Sequence, residues 1–95
     1  MNPKRLSDLF CKFTEKAIRE YYPPNARLAY YTLLGEFYRD KYHQEKLRMT
    51  LRDFGAISGI KQATLQIAIV YLDEHNDIVR EVTPKGTYYS FPEDK

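Results

Sequence analysis

The 95-residue chain predicts an α+β fold that is mainly helical, on three observations. Apolar residues recur at helical spacing in four segments between Leu6 and Leu72. Turn-forming stretches, "YYPPN", "SGI" and "HND", separate or close those segments. Two short β-type segments then flank "TPKG" near the end of the chain.

The first helix is predicted over Ser7 to Tyr21. Leu6, Leu9, Phe10, Phe13, Ala17, Ile18 and Tyr21 form its stripe, while Asp8, Lys12, Glu15, Lys16 and Arg19 fall on the other side. Ser7 is the expected N-cap, and Pro23 with Pro24 ends the helix. Asn25 is read as the cap of a second helix, Ala26 to Arg39. Its stripe of Leu28, Ala29, Tyr31, Thr32, Leu34, Gly35 and Tyr38 is apolar nearly all round, which predicts a central position. Gly35 lies mid-helix at a cost of about 1 kcal/mol relative to alanine, which predicts a close neighbour.

Asp40 to Met49 is polar and is read as a loop with a short extended piece at Leu47 to Met49. Thr50 then opens a third helix, with "TLRD" as a capping box in which Asp53 replaces the usual Glu or Gln. Leu51, Phe54 and Ile57 supply its apolar face. Gly59 suits the positive φ of a tight turn between helices. The fourth helix is predicted from Lys61 to His75, closed by Asn76 in the left-handed region. Strands follow at Ile78 to Val82 and Thr87 to Phe91, and the "PEDK" tail is polar and expected to fray. Helix, turn, helix and hairpin in this order make a winged helix-turn-helix with a C-terminal two-stranded wing. An extra helix precedes it.

Composition narrows the role. Fifteen basic residues against thirteen acidic ones give a net charge of +2, so the placement of charge must carry any case for nucleic acid. Nine tyrosines and five phenylalanines predict an aromatic core. Cys11 is the only cysteine; it excludes an intrachain disulfide, fits a reducing cytoplasmic compartment, and is expected to pack beside the first helix. No run approaches the ~18 apolar residues of a membrane span, and the N-terminus lacks a signal-peptide pattern. His43 and His75 stand apart, "TPKG" lacks phosphate-loop spacing, and no nucleophile–base constellation occurs. The reading is therefore a non-enzyme with no cofactor, no metal and no small-molecule substrate.

From Asn25 onward the chain resembles the winged-helix domains of bacterial, plasmid and phage replication initiators and replisome organisers, including the N-terminal domains of DnaD-type primosome proteins. The likeness rests on "NARLAYYTLLGEFY", "LRDFGAISGIKQATLQIAIVYLDEHNDI" and "REVTPKGTYYSF". It divides the chain into residues 1–24, an added helix for dimerisation or for bracing the core, and residues 25–95, the winged helix-turn-helix. The resemblance implies a double-stranded DNA-binding protein acting in replication, transfer or transcription control.

A helix-turn-helix reader lays the start of its second helix in the major groove. Lys61, Gln62, Thr64 and Gln66 occupy those positions. Lysine donates to guanine or phosphate, glutamine pairs with adenine, and threonine meets a base edge or a methyl group. The bland alternative is a solvated polar face, with Thr64 holding the turn. Arg80 and Lys85 on the wing, and Arg48 and Arg52 before it, are the phosphate candidates. Between Arg39 and Arg52, five cations face two carboxylates, a local surplus of three. Against DNA stands the apolar line Ala63, Ile67 and Val70. It suits burial by another element, a protein partner or a thymine methyl. The rival reading is accordingly a winged-helix protein–protein interaction module that binds no DNA. A homodimer paired through the N-terminal helix is the expected assembly.

Overall fold

A computed structural model describes residues 1–93; Asp94 and Lys95, the end of the tail expected to fray, lie outside the described residues. The elements are α1 (Pro3–Arg19), α2 (Pro24–Arg39), β1 (Leu47–Arg48), α3 (Leu51–Ser58), α4 (Gln62–Glu74), β2 (Val79–Thr83) and β3 (Gly86–Ser90). The fold is α+β and mainly helical, a winged helix-turn-helix with an extra helix in front. The hairpin β2–β3 is the expected wing. β1 pairs with it, Leu47 opposite Tyr89, so the sheet has three antiparallel strands in the order β1-β3-β2. The extended piece foreseen at Leu47 is this third strand.

Helix starts differ from the sequence expectation because prolines and a stronger cap override it. α1 begins at Pro3, not Ser7: the Asn2 side chain accepts from the Arg5 N–H at 2.8 Å, and Pro3 fits a first-turn site where no N–H is needed. α2 begins at Pro24 because proline fits the first turn, with no side-chain cap, so Asn25 lies inside the helix and does not cap it. Thr50 does cap α3, accepting from the Asp53 N–H at 3.0 Å. Gly59 (φ 77°) and Asn76 (φ 60°) take the left-handed turns that end α3 and follow α4.

One aromatic and aliphatic core joins all four helices to the sheet. Phe13 of α1 stacks on Tyr30 of α2 at 3.6 Å between ring centroids, and Phe54 of α3 meets Tyr89 of β3 edge-on. α2 runs through the middle, packing against α1, α3 and α4. α4 presents Leu65, Ala68, Ile69 and Leu72 inward, as its periodicity predicts.

The outer members of the predicted stripes are not buried. Phe10, Ile18 and Tyr21 are exposed on and after α1, Leu28 and Tyr38 on α2, and Ile57 on α3. Tyr22, one residue beyond the predicted stripe, is buried in place of Tyr21. Tyr21 takes a positive φ, and that turns the chain so that its successor points inward. Gly35 has no neighbour: a Cβ there would meet nothing within 4 Å, so no close packing explains it. Cys11 is exposed and does not pack.

α1 is tied to the far end of α4 by a polar cluster. Lys16 Nζ donates to Asp77 Oδ1 and to the His75 carbonyl, both at 2.9 Å. The Tyr22 hydroxyl donates to Asp77 Oδ2 at 2.5 Å, and its ring packs edge-on against Tyr71. Burial, then the hydrogen bond and charge of Asp77, push the Tyr22 phenol well above its ordinary 10.0.

Asp77→Ala should destabilise the protein by about 2–3 kcal/mol in urea titrations, because it strips a charge-assisted pair and a phenol of their acceptor. Lys46→Ala, which breaks the exposed pair with Glu81, should cost less than about 1 kcal/mol. The opposite ranking would contradict this assignment. The contribution of Tyr22 is complete below pH 10.0 and is lost above it, where the unfolded chain releases a proton that the folded phenol retains. Tyr22→Phe should flatten that alkaline decline.

Candidate nucleic-acid interface

The rotation of α4 decides which residues face outward. Inward placement of Leu65, Ala68, Ile69 and Leu72 forces the opposite line outward at 100° per residue. That line is Ala63, Ile67 and Val70. Ile67 is 72% exposed, so burial by another element, one of the three readings of the apolar line, is excluded. Together with Gln66, Tyr71 and Glu74 these residues form an open groove of about 480 Å³ along the helix.

The first turn of α4 is uncovered. Lys61 is its N-cap residue, with extended backbone and no side-chain cap bond, so the leading N–H groups have no side chain bound to them. Lys61, Gln62 and Gln66 are exposed, and Gln62 and Gln66 lie one turn apart on the same edge. Thr64 is half-buried on the opposite edge. The turn before them is tight: a Cβ on Gly55 would lie 3.1 Å from the Ile60 carbonyl oxygen, so a glycine there lets the two helices of the motif approach. Sequence reasoning passed over Gly55. Its position four residues before Gly59, on the inner face of a short helix, was the available signal.

The wing adds two separate groups. On the sheet face turned to the helices, Arg80 pairs with Tyr89 and Val82 with Thr87. Gln66, Arg80, Val82 and Thr87 line one depression of about 160 Å³ between α4 and the hairpin. Burial raises the Tyr89 phenol, and Arg80 beside it draws it partly back. Val82, 75% exposed, was not foreseen as a surface residue of this site; its alternation with Arg80 on β2 would have placed it there. On the opposite sheet face, Arg48 Nη1 donates to the Lys85 carbonyl at 3.2 Å, which sets two cations at the hairpin tip. Tyr89 is the core tyrosine, and Tyr88 lies on the outer face beneath Lys46 at 5.3 Å.

Pairing reduces the surplus of positive charge foreseen between Arg39 and Arg52. Arg39 bridges Glu36 and Lys46 bridges Glu81, each at 3.3 Å, while Lys41 lies over Tyr42. Among the described residues Arg48, Arg52, Lys61, Arg80 and Lys85 form no ion pair. Seven of the eight predicted site residues therefore divide in three: Lys61, Gln62, Thr64 and Gln66 at the start of α4; Arg80 beside Gln66; and Arg48 with Lys85 at the tip. Arg52 stands exposed on the first turn of α3, outside these groups. Acidic side chains collect at the other end of α4, at Asp73, Glu74 and Asp77.

Among the described residues no three His, Cys, Asp or Glu side chains gather as metal ligands, and no helix is long and apolar enough to cross a membrane. No protein-family model matches the chain, and no curated protein matches it.

The tip depends on Gly86. Its φ of 135° disfavours any side chain, and a Cβ would lie 3.0 Å from Arg48 Cδ. Gly86→Ala should cost about 1–3 kcal/mol in chemical denaturation and speed amide exchange along β2 and β3. Unchanged exchange in the hairpin would show that the tip tolerates the strain.

Proposed function

We propose that this protein is a sequence-specific double-stranded DNA-binding protein acting in the cytoplasm, in replication, transfer or transcription control. One observation carries the reading. Lys61, Gln62 and Gln66 are exposed at the start of α4, Gln66 lines one depression with Arg80 and the wing, and among the described residues Arg80 and Lys85 form no ion pair. In a helix-turn-helix this is the end of the second helix that enters the major groove.

The division of labour follows from the chemistry. Gln62 and Gln66 meet base edges, because an amide offers donor and acceptor together. Lys61 meets a guanine or a phosphate. Lys85, Arg48, Arg80 and Arg52 hold phosphates, which fix register without reading sequence. The acidic far end of α4 is the end that points away from the polyanion.

The expected assembly is a homodimer paired through the outer side of α1. Support comes from Phe10 and Ile18, exposed on α1, and Tyr38, exposed on α2. Phe10, Gly35 and Tyr38 border an apolar groove of about 320 Å³ between the two helices, where the space over Gly35 is open. A two-fold pair on this face places two reading helices on one duplex.

The rival, a protein-interaction module, is favoured by the outward line of exposed Ala63 and Ile67 with half-buried Val70. Fluorescence anisotropy with a duplex selected from a random pool separates the two. DNA binding should weaken steeply between 50 and 200 mM salt, by about 10³-fold or more for six or more phosphate contacts. Lys85→Ala should lower the slope of log K against log salt by about 1. A selected site with two half-sites supports the dimer, and a lone half-site contradicts it. No enrichment and no salt-sensitive binding would leave the rival standing.

A further inference from the structure

We infer that the outward face of α4 reads A·T pairs, with Ile67 packed on a thymine methyl and Gln62 or Gln66 paired to adenine. This inference rests on the DNA-binding reading and names the class of base step that reading would select.

The residue types on the exposed face carry it. α4 contains no lysine, arginine or histidine from Gln62 to Glu74. The side chain suited to bidentate contact with guanine is arginine, and lysine follows it; only Lys61, at the cap, remains for that role. What the helix offers is two amides and an apolar line. An amide matches the N6 donor and N7 acceptor of adenine. An aliphatic side chain matches the one apolar group in the major groove, the C5 methyl of thymine. Both chemistries sit on neighbouring turns: Gln62 and Gln66 on one edge, Ala63 and Ile67 beside them, all exposed.

Charge selects the occupant. Cations that form no ion pair among the described residues favour a polyanionic occupant over an uncharged apolar one. Here Lys61 opens the helix, Arg80 lines the depression that Gln66 also lines, and Lys85 stands at the wing tip. The groove itself is lined by no cation and carries Glu74 toward its far end, while Lys61 and Arg80 stand at its near end, beside Gln62 and Gln66. That polarity sets the start of the line against phosphates, in a major groove where methyl groups lie between two rows of them. The feature that argued against DNA in the sequence is thereby the part of the surface that chooses the base.

The test uses the full chain and the duplex selected from the random pool. Each thymine of the selected half-site is replaced in turn by deoxyuridine, which removes only the methyl group. The wild type should lose about fourfold in affinity at one or two positions, the effect of exposing a single buried methyl group. Ile67→Ala should bind the thymine and uracil duplexes equally. Since Ile67 is 72% exposed, that variant keeps its fold, which circular dichroism checks. Gln66→Ala and Gln62→Ala should relax the preference at an adjacent adenine.

A selected site made of G·C steps would overturn the inference and leave DNA binding intact. So would uracil duplexes bound as tightly as thymine ones. If no duplex is bound at any salt concentration, both readings fall, and the apolar face belongs to a protein partner.

Discussion

Packing of α4 against α2 and α3 through Leu65, Ala68, Ile69 and Leu72 is the constraint on which the rest of the molecule depends. Fully burying an aliphatic side chain is worth about 1.5–3 kcal/mol, so turning the helix to hide Ile67 would expose residues worth more than it gained. The helix is therefore fixed in rotation. Its outward line and its exposed amides both follow from that one orientation.

Position along the helix axis is fixed separately. Gly55 lets α3 close on the turn at Ile60, which sets where α4 begins. At the other end Asp77 receives Lys16 and Tyr22, so α1 and the linker after it hold the far end in place. α1 thus contributes Leu6, Leu9, Phe13 and Ala17 to the core and anchors α4 at the end opposite its exposed start. The remaining side of α1, with Phe10 and Ile18, stays open.

The element order and the inward stripe of α4 were legible in the sequence because periodicity reports burial directly. The positive φ of Gly59 and Asn76 was legible because few residues accept it. Helix starts were not, since Asn2 and the prolines at 3 and 24 compete with Ser7 and Asn25 for the same role, and local geometry settles the contest. Stripes also overstate burial. Phe10, Leu28 and Tyr38 fit the period, yet a small domain has too few neighbours to cover every apolar position. Of the candidate site, residue types and the α4 cluster were readable. The pairing of Lys46 with Glu81, and the placement of Arg48 on the far face of the sheet, depend on strand register between segments more than thirty residues apart.

The central claim is that the start of α4 and the wing form one surface that meets a duplex. Amide chemical-shift mapping on isotope-labelled protein, titrated with the selected duplex, tests it most directly. The account predicts perturbations concentrated at Lys61 to Ile67 and Arg80 to Thr87, with the outer side of α1 and α2 unmoved at a concentration where the oligomeric state is constant. Perturbations confined to α1 and α2, with the first turn of α4 silent, would contradict it.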